Sequence, residues 1–212
     1  MKKPPFVIGL QLNYSPNEPF RMLCMPTQKD HAEAIHTAIL ETLPALQKRF
    51  IWAENTPTLE MMKGQVNTWH ESYNKDIPQK WDRYVWMILS ETNFNSHTLE
   101  FNSESSIPDE QFHLMNLSGI ISLTRIEEDK DAYEFGYWIR EGHQRQNIIS
   151  DAIQGLITNV EADYFRIRYA KDNAASKAIA AKFGFEYSYT EKDALKWQDG
   201  RTKDMLVFTL KR

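Results

Sequence analysis

One cysteine, eight glycines and no long apolar run set the first limits on this chain. The lone Cys24 excludes an intrachain disulfide and fits a reducing cytoplasm, the expected location. Its setting, Met22-Leu23-Cys24-Met25, reads as a buried structural thiol rather than a nucleophile. No stretch approaches the ~20 apolar residues that a membrane-crossing helix requires, so no membrane partner is expected. An excess of basic residues is also missing: 25 Lys and Arg stand against 29 Asp and Glu, a net charge of −4. That balance argues against nucleic-acid binding and is compatible with a cationic substrate such as an amine. Residues 1–10 carry two lysines but only a short, broken apolar stretch and no small-residue cleavage site, so residues 1–18 are read as an arm rather than a secretion signal. His31, His36, His70, His97 and His113 show no metal-like spacing with carboxylates, and no metal is expected.

What is present suits one domain spanning residues 1–212, with 42% hydrophobic and 25% charged residues. Residues 20–26 read as a strand. Thr27 and Asp30 then mark a helix start, followed by the stripe Ala34, Ile35, Ala38 and Ile39. A short second helix is expected over 44–50. Thr56-Pro57 opens another, whose Leu59, Met62, Val66, Trp69 and Tyr73 recur at helical spacing. Residues 83–89 read as a strand and 92–116 as a polar insert loop. Residues 117–126 and 132–139 form an antiparallel hairpin. After a polar turn at 140–147, Ile149, Ala152, Ile153, Leu156, Ile157 and Val160 line one helical face. A strand over 165–169, a helix stopped at Gly184, and strands over 185–190 and 205–210 complete the order. This succession predicts an α+β domain with helices packed on a mixed sheet. Trp52, Trp69, Tyr73, Trp81 and Trp86 are read as core, with an acceptor pocket as the alternative.

Two segments carry the chemistry. Gly136-Tyr137-Trp138-Ile139 leads through Arg140-Glu141-Gly142-His143-Gln144-Arg145-Gln146-Asn147 into Ile148-Ile149-Ser150, which is strand, tight turn and helix start. Such a junction is an anion cradle, because a helix N-terminus presents unpaired N–H groups and partial positive charge. The turn has no glycine where such turns often need one. Asn147 tolerates positive φ better than most residues, and Arg145 would bring a cation near any phosphate bound there. The second segment runs from Asn173-Ala174-Ala175-Ser176 to Lys182-Phe183-Gly184-Phe185, with Asn173 as helix cap.

Together, in this order and spacing, these segments resemble the GNAT superfamily of acyl-CoA-dependent N-acyltransferases, and most of all its RimJ/RimL-type branch. The resemblance implies a central, mostly antiparallel sheet of about seven strands flanked by helices, with a splayed strand pair for coenzyme A. It implies acetyl-CoA as cosubstrate and a primary amine as acceptor, either a protein N-terminus or a small polyamine or aminoglycoside-like molecule. A coenzyme-binding pseudo-enzyme acting on a partner is the reading from another class, and a monomer or homodimer is expected. The implied coenzyme contacts are Tyr137, Trp138, Ile139, Gln144, Arg145, Gln146, Asn147, Ile148, Ile149, Ser150, Asn173, Ser176 and Phe183. Ser176 matches a serine that protonates the departing thiolate in RimL-type enzymes; its bland alternative is a polar residue in a first helical turn. Glu134 is the candidate base, with a charged strand-end residue as the alternative. Where the RimL type can carry a glutamate before the last strand, this chain has Lys196, so a water relay is the other route for the proton.

Overall fold

The computed structural model of the chain describes residues 8–12, 20–74, 83–91, 115–126 and 129–212. Nearly all of the expected insert 92–116, including His97 and His113, lies outside them, as does Trp81. The described strands are β1 Ile8–Leu12, β2 Phe20–Pro26, β3 Arg83–Glu91, β4 Met115–Ile126, β5 Asp129–Ile139, β6 Tyr164–Ala170, β7 Glu186–Lys196 and β8 Thr202–Lys211. The helices are α1 Ala32–Gln47, α2 Leu59–Asn74, α3 Ile148–Asn159 and α4 Ala174–Lys182. All eight described strands form one sheet in the order β1-β2-β3-β4-β5-β6-β8-β7. Among them only β5 and β6 pair in parallel, the crossover between them being the helical segment that a parallel connection demands.

Each face of the sheet has its own core. On one, α3 lays Ile149, Ala152, Ile153 and Leu156 against Trp86, Ile121, Tyr133, Phe135 and Phe165. On the other, Ile35, Ala38, Ile39 and Leu46 of α1 and Met62 and Val66 of α2 cover Val85, Met87 and Leu89. Alternate residues of β3 therefore feed opposite cores, as period-two side-chain geometry requires. Trp86 is fully buried and Trp69 packs against the α1/α2 core, whereas Trp52 is 46% exposed. Burial pushes the Cys24 thiol up to about 12, so no thiolate exists at neutral pH to act as a nucleophile.

Several boundaries differ from the sequence reading. Residues 44–50 do not form a separate helix, because α1 continues through Pro44 to Gln47. Ile35, Ala38, Ile39, Thr42 and Leu46 are buried on both sides of Pro44, and that burial outweighs the ~3 kcal/mol a helical proline costs. A 3-10 turn, Lys29–His31, precedes α1, and the Gln28 N–H donates to His31 Nδ1 at 3.0 Å, so Thr27 is not the cap. The start of α2 shifts from Thr56-Pro57 to Thr58, whose Oγ1 accepts from the Met61 N–H at 3.2 Å. β1 lies within the expected arm. β7 runs to Lys196 and β8 starts at Thr202, longer than expected because polar cross-strand ties replace apolar alternation. Lys192 Nζ meets Asp204 Oδ2 at 2.8 Å, and Thr202 Oγ1 donates to Asp193 Oδ1 at 2.5 Å.

A bulge near the centre of the sheet interrupts the register of β3 and β4. Ile88 pairs with Gly119 and Leu89 with Leu117, so Ser118 is the extra residue. Gly119 lies against the backbone of β5, and a Cβ there would collide with the Trp138 carbonyl oxygen and sit 3.0 Å from Ile139 Cα. Backbone cannot yield as a side-chain tip can. Gly119→Ala is therefore expected to cost at least about 1–3 kcal/mol and to lower the thermal midpoint by several degrees; calorimetry of the two proteins makes the comparison.

Candidate active site

The parallel pairing of β5 and β6 is short. It runs from Ala132↔Tyr164 to Phe135↔Ile167 and stops. β5 continues to Ile139, still paired with β4 as far as Gly119↔Ile139. β6 continues to Ala170, paired with β8. The two strands thus diverge within the sheet. Beyond Phe135, the β5 backbone groups on the β6 side meet no strand in register and are available to an extended ligand.

β5 leads directly into the anion cradle. A 3-10 turn, Glu141–His143, is followed by exposed residues Gln144, Arg145, Gln146 and Asn147. Asn147 caps α3 in the left-handed region at φ 58 and ψ 2, and Arg145 is also left-handed at φ 63. Asparagine does take the glycine conformation here, and an arginine takes it as well. Ile148 is 1% exposed, Ile149 8% and Ser150 7%. The bulk of Ile149 is turned into the core and leaves the turn open. These three residues offer a ligand their N–H groups, which the first turn of a helix leaves without intrahelical acceptors.

α4 closes the same side of the gap. Asn173 Oδ1 accepts from the Ser176 N–H at 3.3 Å, so Asn173 is the cap. The same oxygen accepts from Arg49 Nη1 at 2.7 Å, tying the end of α1 to the start of α4. Ser176 is buried. Tyr137, on the diverging part of β5, carries its hydroxyl toward Ser176; burial pushes its pKa up to about 12, an effect that the Ser176 hydroxyl partly opposes. Tyr137 and Ile139 pack on the α3/α4 core and Trp138 on the α1/α2 core. Phe183 ends α4, half-buried against the α3/α4 core.

Glu134 points elsewhere. Its Oε2 accepts from Arg166 Nε at 2.7 Å and its Oε1 lies 3.5 Å from Arg168 Nε. Arg168 also meets Glu191 at 3.0 Å. Both oxygens of the candidate base therefore anchor an arginine cluster. The opposite face holds a cleft of about 290 Å³ lined by Thr37, Ala38 and Glu41 of α1, Met87 and Leu89 of β3, and Arg140. Arg140 pairs with Glu41 and donates through Nη1 to the Leu117 carbonyl at 3.0 Å. Beside it, Ser90 Oγ, Ser118 Oγ and His143 Nδ1 form a hydrogen-bonded chain at 2.6 Å and 3.0 Å. Burial, then the charge of Arg140, holds His143 below the usual histidine range, with Glu41 opposing. The bulge is thereby fastened to the turn ahead of α3. Among the described residues, no group of three or more His, Cys, Asp or Glu is placed to hold a metal ion.

A sequence profile described as "Acetyltransferase (GNAT) domain" matches residues 21–186. This chain belongs to the GNAT acetyltransferase family. It is 42% identical over 73 residues to the ribosomal-protein-serine acetyltransferase of Escherichia coli (strain K12), a stretch that is 32% of this chain and 41% of that enzyme. RimL, a ribosomal L7/L12 alpha-N-protein acetyltransferase solved with coenzyme A, superposes with a TM-score of 0.69 at 20% identity, covering 90% of this chain and 93% of its own. The microcin C7 self-immunity acetyltransferase MccE, solved with acetyl-CoA and AMP, gives 0.70 at 16% identity, covering 90% and 92%. At such identities the two structures show the fold, which for this chain is the GNAT fold.

Of the residues expected at the GNAT coenzyme site, the turn, the start of α3, Asn173, Ser176, Tyr137 and Ile139 border the gap or its α3/α4 side. Glu134 is bound up in the arginine cluster. Sequence reading missed Glu41–Arg140, Arg49–Asn173 and the Ser90–Ser118–His143 chain, each made by residues far apart in sequence. The one available signal was Gly119 inside an apolar strand, which marks a bulge or close backbone approach. Asn147→Val places a β-branched residue at positive φ and is expected to destabilise by about 1–2 kcal/mol. Asn147→Gly keeps the conformation and is expected to cost less than that. Urea-unfolding midpoints of the two variants decide between this ordering and its reverse.

Proposed function

We propose that the chain transfers an acetyl group from acetyl-CoA to a primary amine, with a protein N-terminus as acceptor, in the cytoplasm. The observation that carries this reading is the divergence of β5 and β6 directly between the α3 cradle and Ser176. The pyrophosphate would sit on the N–H groups at the start of α3, assisted by Arg145. The pantetheine arm would run along the unpaired edge of β5 beyond Phe135, whose amides replace its hydration. That register delivers the thioester to the gap, where a β5 N–H stabilises the oxyanion as the amine adds. The carbon–sulfur bond then breaks, its electron pair stays on sulfur, and the Ser176 proton goes to sulfur.

The acceptor enters from the α1/α2 side. A cleft of about 290 Å³ is at the small end of ligand pockets, which suits a first residue and its amine better than a bulky molecule. The name of the E. coli relative, matched over 32% of this chain, favours a ribosomal-protein amine among protein acceptors. With Glu134 held by Arg166 and Arg168, the amine loses its proton to water rather than directly to that carboxylate.

Isothermal titration is expected to show acetyl-CoA binding; absence of heat at high concentration sinks this reading. Thiol release with N-terminal peptides is expected to exceed release with polyamines and aminoglycosides, and the opposite ranking moves the acceptor to a small amine. Ser176→Ala should lower kcat with acetyl-CoA affinity nearly unchanged. Heat of binding without turnover on any amine would instead make the chain a coenzyme-binding module.

A further inference from the structure

Two hydroxyls meet where the sheet opens, and the acetyl-transfer step uses only that of Ser176. Tyr137 lies on the diverging stretch of β5 and faces the α3/α4 core, and its hydroxyl is withdrawn from solvent. Among the described residues that hydroxyl has no fully formed hydrogen bond, yet its approach to Ser176 is close enough for the serine to perturb its titration. A buried phenol without a partner is costly, so a chain that keeps one at this point must use it or bear that cost. Phenylalanine would fill the same space without it. Ser176 has its own difficulty, because an aliphatic hydroxyl is a weak acid whose proton turns freely. Its backbone is fixed by the Asn173 cap, but nothing in that cap fixes the hydroxyl.

We propose that the Tyr137 hydroxyl is a positioning residue that donates to Ser176 Oγ, aims the serine proton at the departing sulfur, and stabilises the serine oxygen as that proton leaves. The proposal rests on the acetyl-transfer reading. As the carbon–sulfur bond breaks and its electron pair stays on sulfur, the Ser176 proton moves to sulfur and gives the free thiol. The proton lost by the acylated nitrogen returns to the serine oxygen through water, and Tyr137 keeps its own proton throughout. The high pKa of the phenol, about 12 and raised by burial, fits a group that donates a hydrogen bond and does not ionise. Tyr169 lies close enough to raise the Tyr137 pKa further, so its own substitution separates a phenol beside the gap from one that acts on Ser176. It is a second buried phenol without a partner among the described residues, on the facing strand β6 and stacked on Phe208 with centroids 5.4 Å apart.

A double-mutant cycle on the full chain tests this, with acetyl-CoA and the best peptide of the panel. Tyr137→Phe is expected to lower kcat about tenfold with KM for acetyl-CoA within twofold. Because Tyr137 acts through Ser176, the double variant Tyr137→Phe/Ser176→Ala should be no slower than Ser176→Ala alone. Multiplying losses, an unchanged kcat in Tyr137→Phe, or an equal loss in Tyr169→Phe would overturn the proposal. A second measurement is independent of turnover: the 13Cζ resonance of Tyr137 at neutral pH should shift between wild type and Ser176→Ala. An unmoved resonance overturns the pairing even in an active enzyme. A wild type that binds acetyl-CoA but acetylates nothing defeats the acetyl-transfer reading and the catalytic role together, while a shifted resonance would still establish the hydrogen bond.

Discussion

Four register pairs between β5 and β6, ending at Phe135 and Ile167, are the constraint on which the rest of the molecule turns. β5 is the strand where the antiparallel half of the sheet meets the remainder, and it cannot follow both neighbours to its end. β4 keeps it, through Gly119, whose missing side chain lets the two backbones approach. β8 keeps β6. What remains between β5 and β6 is a gap edged by unsatisfied peptide groups inside an otherwise continuous hydrogen-bonded sheet. Peptide groups that pair with no strand can pair with an extended ligand instead.

The helices around the gap divide the remaining work by charge. α3 and α4 both present N-terminal ends on one side, where partial positive charge accumulates. On that side the chemistry uses backbone dipoles and small hydroxyls, with formal charge from Arg145 and from Arg49, which donates to Asn173. The opposite face holds paired full charges, Glu41 with Arg140 and Glu134 with Arg166 and Arg168. The more exposed of these pairs, Glu41 with Arg140, contributes little to stability. Their effect is on placement: Arg140 links α1 to the end of β5, and Glu134 holds β6 beside β5 just before the strands part.

Much of this was legible in the chain itself, for identifiable reasons. The α3 stripe has a 3.6-residue period that burial on one face requires, and it predicted that helix closely. Asn147 was readable because few residues tolerate left-handed backbone, and Asn173 because caps have a narrow chemistry. The resemblance to the GNAT family rested on the strand 134–139, the turn 143–149 and the segment 173–185. The fate of Glu134 was hidden, since it depends on Arg166 lying directly opposite in a parallel register that no local pattern announces. The continuation of α1 through Pro44 and the length of β7 were missed for a related cause: tertiary burial in one case, and cross-strand ion pairs in the other, overrode local propensity. The chain from Ser90 through Ser118 to His143 exists only once the bulge has formed.

The glycine-poor turn has a consequence for kinetics. A glycine loop samples many shapes and must surrender that freedom when it closes around an anion. Here Arg145 and Asn147 stand in left-handed conformations, and His143 anchors the turn to the sheet through Ser118. Residues with side chains have fewer backbone shapes to lose than glycine has, so less ordering is left for the moment of binding. A receptor shaped in advance gains mainly through slow release, and in an enzyme that must discharge its spent coenzyme each cycle, slow release sets the pace. The rigidity that makes the cradle ready is also what would make emptying it the slow event.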